Sequence, residues 1–434
     1  MQHYNHKKII NAWCMYDWAI SAFHTTVMAA VLPIFFRNVA AVTLSGSQSQ
    51  MATSLWGYTA AAAMLAVAVL SLILGPIADY GSSKKRFLAI LTGTGALFTS
   101  LLAFTHAGDW IWVSLIFIVA NVCSAGSEVF YDSLLPHIAR PGEIDRISTR
   151  GYALGYVGGG LLLAVNIGML WFLPKTVVQP GQESVPVLGM KLSFLSVGIW
   201  WALFSLPLLR RVPEPEGVRL GLSGENPLRI AVRRLSATFN DVRRFKQLFL
   251  FIVAFWFYND GIGTIIKMAI AFGDEIGIGT LDLVGALMLT QVLGVPCTLF
   301  FGRLTNRITA KKAILIGLCV YTLISVGGFF ITKAIHFWII AFFVGLVQGG
   351  TQALSRSLYG SMVPKEKSAE FFSFYSISGK FAGIAGPALF ALASQFAGTS
   401  RLGILSLVFF FVIGGILLMR VDVDEGRRIA KTAT

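Results

Sequence analysis

The sequence predicts an all-α membrane protein of twelve transmembrane helices in two parallel six-helix repeats, with both termini cytoplasmic. Three observations carry this. Of the 434 residues, 55% are hydrophobic and 13% charged, with 34 Phe and a mean hydropathy of +0.71. A soluble domain is about 25% charged and needs that surface to stay dissolved. The high apolar content and four scattered Cys also exclude collagen-like, disordered and disulfide-stapled classes. Apolar stretches of about 20 residues, enough to cross a bilayer, recur along the whole chain. Finally, the second half repeats the first.

The spans lie near 9–37, 53–77, 87–107, 110–135, 151–173 and 191–209, then near 247–270, 281–302, 313–333, 336–362, 370–396 and 402–420. Gly and Pro recur inside them, which membrane helices tolerate. Orientation follows from the 35 basic residues, because cytoplasmic loops collect Lys and Arg. With the N-terminus inside, the inner segments hold Lys7 and Lys8, Lys84 to Arg86, Arg140, Arg146, Arg150 and the run between Arg210 and Lys246. They also hold Arg303, Arg307, Lys311, Lys312, Lys365, Lys367, Arg420, Arg427, Arg428 and Lys431. The outer segments keep only Arg37, Lys175, Lys191, Lys333 and Arg401. The first span is too long for a signal peptide, contains Asp17 and has no small-residue cleavage site after it.

Residues 210–246 divide an N-terminal half, 1–209, from a C-terminal half with its tail, 247–434. The linker opens with Pro213-Glu214-Pro215-Glu216. Leu228, Ala231, Val232, Leu235, Phe239 and Val242 then follow helical spacing among Arg229, Arg233, Arg234, Arg243 and Arg244. This reads as an amphipathic helix on the inner membrane surface, a connector rather than a lipid-regulated element.

Self-comparison reveals the repeat. Ser133, Pro136 and Ser148 meet Ser361, Pro364 and Ser376; Gly151, Gly155 and Gly158 meet Gly379, Gly383 and Gly386. Trp13 and Asp17 match Trp256 and Asp260. Gly75-Pro-Ile-Ala-Asp79 corresponds to Gly302-Arg-Leu-Thr-Asn306, each followed by a basic pair. The shared order, not the individual identities, carries the inference. Two parallel six-helix repeats are the plan of the major facilitator transporters.

Gly75-x-x-x-Asp79, Gly81 and the Lys84-Lys85-Arg86 cluster resemble that superfamily's signature between helices two and three, with Tyr80 where a basic residue is usual. Four strings resemble its vacuole-effluxer (autophagy-related permease) branch: Trp13-Cys-Met-Tyr16-Asp17-Trp-Ala19-Ile20-Ser21-Ala-Phe23, Tyr258-Asn-Asp260-Gly261, Gly349-Gly-Thr-Gln352-Ala-Leu-Ser355-Arg356-Ser357 and Glu370-Phe-Phe-Ser-Phe-Tyr375. Ile20 stands where that branch has Asn. The resemblance implies secondary transport by a monomer, with amino-acid efflux from a storage compartment as the best-known activity. It also implies that helices 1, 4, 7 and 10 line the cavity while 3, 6, 9 and 12 support it.

An ionisable side chain at mid-membrane costs at least about 2.5–3.5 kcal/mol, so it marks a candidate functional site. Seven such residues fall on helices 1, 4, 7, 10 and 11: Asp17, Glu128, Asp132, Asp260, Lys267, Arg356 and Lys380. At about 1.5 Å per residue, Asp17, Glu128 and Arg356 lie roughly 12 Å from the inner boundary. Glu128 and Arg356 correspond under the repeat, which lets them pair across the cavity when it is empty. With substrate bound, Arg356 takes a carboxylate in a bidentate fork while Asp17 or Glu128 takes an ammonium group.

Polar stripes support a lined pathway, because such faces are too costly against lipid. They are Asn121, Ala125, Glu128 and Asp132; Gln348, Gln352 and Arg356; Asp17, Ser21 and His24; and Asp260, Thr264 and Lys267. The expected substrate set is therefore Asp17, Glu128, Gln348, Gln352 and Arg356, with Asp260 and Lys380 fitting either substrate contact or a structural role. Glu128 first and Asp17 second are expected to carry the coupled proton, since a carboxylate in a low-dielectric cavity can load and release one near neutral pH. Gly75, Asp79, Lys84, Lys85, Arg86, Asn306 and Arg307 read as a conformational latch. Asp132 fits a gate or loop partner as well as the pathway, Lys267 snorkels, and His24 reads as polar packing rather than a relay.

Other signals fail. Gly155-Tyr-Val-Gly158-Gly159-Gly160 lies in an apolar span with no strand before it, so helix packing explains it better than nucleotide binding. Cys14, Cys123, Cys297 and Cys319 have no Cys-x-x-Cys spacing, the six His form no ligand pair, and no Gly-Lys-Ser/Thr loop is present. No metal, cofactor or nucleic acid is therefore expected; the partners are a small-molecule substrate, membrane lipids and a proton. The expected function is not enzymatic. It is secondary transport of a small polar metabolite, an amino acid first, by proton-coupled alternating access in a bacterial cytoplasmic membrane. One alternative is a drug or lipophile exporter of the same fold, which predicts a large, aromatic, weakly charged cavity. A membrane-embedded lipid-modifying enzyme would need a metal cluster, a nucleophile with its base, or phosphate chemistry, and none is evident.

Overall fold

A bilayer offers the backbone no hydrogen-bond partners, so each apolar stretch satisfies its own N–H and C=O groups as a helix. The computed structural model describes residues 2–44, 55–56, 58–60, 62–67, 70, 83–178, 184–215, 245–397 and 399–432. Its helices fall on all twelve predicted stretches. They are α1 (Asn5–Ala40), α2 (Tyr58–Val67), α3 (Lys84–Leu101), α4 (Trp110–Ser133), α5 (Ile144–Phe172) and α6 (Val187–Arg211), then α7 (Lys246–Glu275), α8 (Thr280–Leu304), α9 (Ala310–Phe329), α10 (Ala334–Met362), α11 (Ser368–Ala397) and α12 (Ser400–Arg420). Among the described residues ten are long and apolar enough to cross a membrane, and α2 and α11 add shorter apolar stretches. A further helix, α13 (Val423–Thr432), occupies the stretch read from sequence as tail. The expected amphipathic linker helix, Gly75 and Asp79 lie outside the described residues.

α1 is irregular. It is α-helical to Ala22, π-helical over Phe23–Val31, α-helical over Leu32–Phe35 and π-helical again to Ala40. The Leu32 N–H returns to the Val27 carbonyl, one residue further back than in an α-helix. Pro33 supplies no N–H, so the turn before it lacks one ladder bond.

Contacts divide the chain into two units. The first takes in α1, α3, α4 as far as Tyr131, α5 from Leu154, and α6. α5 crosses α1 closely: a methyl group on Gly155 would stand 2.6 Å from Ser21 Oγ, and one on Gly158 would collide with the Trp18 carbonyl. The Gly-rich string is thus a helix crossing, as expected. Trp201 of α6 is fully buried over Gly95 of α3 and 5.5 Å from the Phe23 ring. Asn166 donates to Thr26 Oγ1 at 3.2 Å and accepts from Ser196 at 2.9 Å.

The second unit takes in residues 132–153 and the chain from 245 onward. Here α11 crosses α7 as α5 crosses α1, and a methyl group on Gly386 would strike Thr264 and Asp260. Ser21 and Thr264 correspond under the repeat, as do Gly158 and Gly386, so matching helices cross through small residues in each unit, although Ser21 meets Gly155 and Thr264 meets Gly386. Phe272, Ile278, Leu283, Ala286, Ile331, Phe337 and Ala341 form a core where the α7–α8 and α9–α10 connections meet. In both units large apolar side chains such as Leu203, Val292, Phe300 and Leu323 stand more than half exposed, as lipid-facing residues do.

Candidate functional site

In the first unit α1 and α4 are locked by aromatic stacking. Tyr131 lies 4.3 Å from the Trp13 ring and 4.8 Å from Tyr16, and its carbonyl accepts from Trp13 Nε1 at 3.1 Å. The Tyr16 and Thr92 hydroxyls meet at 3.0 Å, tying α3 to the stack. This register sets two reciprocal pairs. Tyr131 of α4 donates its hydroxyl to Asp17 Oδ2 of α1 at 2.8 Å, and His24 of α1 places Nε2 2.9 Å from Glu128 Oε1 of α4. The His24 and Glu128 side chains are 31% and 29% exposed, and Asp17 is also half-buried. Each helix thus presents one acid to a partner on the other helix.

In the second unit the site is drier. Arg356 is 2% exposed. Its Nε donates to Ser148 Oγ at 2.9 Å, Nη2 to the Ser148 carbonyl at 3.0 Å and Nη1 to Asp132 Oδ1 at 3.1 Å, while Tyr152 lies 4.4 Å beneath the guanidinium. Ser148 donates its own hydroxyl to the Ala353 carbonyl at 2.7 Å, and Ser357 donates to Asp145 at 2.5 Å. Segment 132–153 is therefore stitched to α10 residue by residue. Its turn is set by Gly142, whose φ of +80° suits a residue without a Cβ. Inside this unit Arg356 forms an ion pair with Asp132.

The remaining predicted residues are dispersed. Asp260 is 1% exposed, and its Oδ2 accepts the Gly386 N–H at 2.8 Å, just before Pro387 interrupts the ladder of α11. Gln348 and Gln352 are half-buried on α10. The side chains of Lys267 and Lys380 lie outside the described residues. Lys84 is buried at the start of α3, Lys85 is half-buried and Arg86 exposed; Asn306 and Arg307 are exposed in the turn after α8. The Lys85 N–H donates to Glu214 at 3.0 Å. Burial pushes the Glu214 carboxyl up, with Lys84 and Lys85 acting the other way.

Sequence reasoning missed Tyr131, Tyr152 and Asp145. Ser148 was visible only as a repeat match. Among the described residues no group of three or more His, Cys, Asp or Glu could hold a metal.

Residues 5–431 match the family described as "Vacuole effluxer Atg22 like". The chain is 36% identical over 425 residues to the MFS-type transporter YxiO of Bacillus subtilis (strain 168), covering 97% of this chain and 96% of that one. It is 22% identical over 520 residues to autophagy-related protein 22-1 of Phaeosphaeria nodorum, covering 97% and 91%. In fold it is similar to the proton:xylose symporter XylE, at a TM-score of 0.72 with 13% identity over 97% of this chain and 96% of that one. The outward conformation of FucP gives a TM-score of 0.70, 13% identity and coverage of 95% and 98%. With its all-helical fold and membrane-spanning helices, the chain belongs to the vacuole effluxer Atg22-like family of major facilitator superfamily transporters.

Proposed function

We propose that this transporter moves a small polar metabolite, an amino acid first, by alternating access of the halves 1–209 and 247–434, and couples the movement to a proton. One observation carries the reading: Asp17 and Glu128 are half-buried carboxylates on adjacent helices of one unit, each held by a donor from the other helix. Carboxylates so placed suit an ammonium group and a proton. The XylE neighbour is by its title a proton symporter, which supports the coupling. Arg356 binds a substrate carboxylate when its bonds to Ser148 and Asp132 open; while they hold, it secures segment 132–153 to α10. The protein works as a monomer in a bacterial cytoplasmic membrane, with both termini inside and export of the amino acid as its role.

The test is counterflow in proteoliposomes preloaded with unlabelled mixed amino acids and given labelled leucine. Uptake by the wild type that is lost in Asp17→Asn is the expected result. Uptake no higher than in empty liposomes, from protein shown to be folded, removes leucine as substrate.

A further inference from the structure

His24 stands where α1 leaves α-helical geometry. The π-helical stretch begins at Phe23, one residue before it. Wide turns of this kind recur at functional sites, because they rotate the following side chains about the helix axis. Here His24 has Nε2 2.9 Å from Glu128 Oε1 and Nδ1 3.4 Å from Met28 Sδ. About a third of the side chain stays exposed.

Among the described residues, the following groups stand around this pair. On its own helix α1 brings Tyr16 and Asp17; on α4 Tyr131 donates its hydroxyl to Asp17. Tyr16 is a fully buried phenol, and even in water a phenol ionises only near pH 10. α3 brings Thr92 to Tyr16, α5 brings the Gly159 carbonyl to Thr25, and α6 brings Trp201 to Phe23. None of these carries a charge.

We propose that His24 and Glu128 are the proton-carrying dyad of the transport cycle, a role resting on the proton-coupled reading above. With a neutral imidazole donating Nε2–H to the carboxylate, the dyad has a net charge of −1. One proton from the aqueous phase adds to Nδ1 and gives an imidazolium hydrogen-bonded to the carboxylate, with net charge zero. No other bond forms or breaks, and loss of that proton to the opposite side restores the starting state. Neutralising the dyad lowers what a substrate ammonium gains beside Glu128, so proton occupancy and substrate occupancy become linked.

The experiment uses the full chain in proteoliposomes, comparing wild type with His24→Gln. Accumulation of labelled leucine under an imposed pH gradient is expected to fall at least about tenfold. The counterflow rate is expected to change across about pH 5–8 in the wild type and to be flat in the variant. Wild-type accumulation in the variant, or an unchanged pH profile, overturns the dyad. If the wild type does not carry leucine, the amino-acid reading fails by itself, and ¹⁵N-histidine NMR of the purified protein decides. One of the six histidine titrations must then shift its midpoint in Glu128→Gln; six unmoved midpoints overturn the assignment.

Discussion

Arg356 reaches Ser148 twice, through Nε to the hydroxyl at 2.9 Å and through Nη2 to the carbonyl at 3.0 Å, while Nη1 holds Asp132 at 3.1 Å. A buried guanidinium is tolerable only when its donors are engaged, and removing one partner of a buried ion pair costs about 3–5 kcal/mol. Asp132→Ala should therefore lower thermal stability in detergent far more than Ser148→Ala. The latter removes a hydroxyl worth about 1–2 kcal/mol and leaves the carbonyl acceptor in place. Equal losses in the two variants would show that the ion pair is not the dominant tie.

The crossing of α5 on α1 predicts a contrast between near neighbours. Gly158→Ala drives a methyl group into the Trp18 carbonyl, whereas a methyl group on Gly160 meets nothing within 4 Å. Overpacking costs about 1–3 kcal/mol, while Ala is favoured over Gly in a helix by about 1 kcal/mol. The melting temperature should fall in Gly158→Ala and hold or rise in Gly160→Ala. Similar behaviour of the two would contradict close packing at this crossing.

Asp260 accepts a backbone N–H from Gly386, a task for which an amide oxygen suffices. Asp260→Asn should stay within about 1 kcal/mol of wild type and Asp260→Ala should lose about 1–3 kcal/mol, the cost of a buried donor left without its acceptor. Transport measured on the same proteins separates charge from structure. A stable Asp260→Asn that no longer transports would assign the charge to the substrate, while retained transport would leave Asp260 as a support for the interrupted helix.

Some relationships were legible because covalent order carries them. Matching Trp13-x-x-x-Asp17 with Trp256-x-x-x-Asp260, and the Gly series of helix 5 with that of helix 11, anticipated that each unit would build the same crossing. Ser21 beside Gly155 and Thr264 beside Gly386 place small residues at the crossing of the matching helices, one helical turn apart in register. Partner choice was not legible in this way. Positional matching set Arg356 opposite Glu128; which residues Arg356 meets inside its own unit depends on how far each helix is rotated and where it ends. Asp132, one turn beyond Glu128 on α4, is an acceptor of Arg356. His24 read as packing because nothing in Phe-His-Thr-Thr-Val-Met-Ala-Ala-Val distinguishes a π-helix from an α-helix; only the hydrogen-bond register does.

The sequence by itself determined the membrane class, the twelve stretches and their duplication. Lipid imposes a requirement that every segment must meet alone: enough apolar length, with its backbone bonds closed internally. Tertiary structure decided what that local rule leaves free. It gave Asp17 to Tyr131 and Glu128 to His24, and it folded residues 132–153 with the second unit through Arg356 and Ser148. These choices rest on contacts between residues more than a hundred positions apart, where an ångström of helix translation changes which oxygen a donor meets.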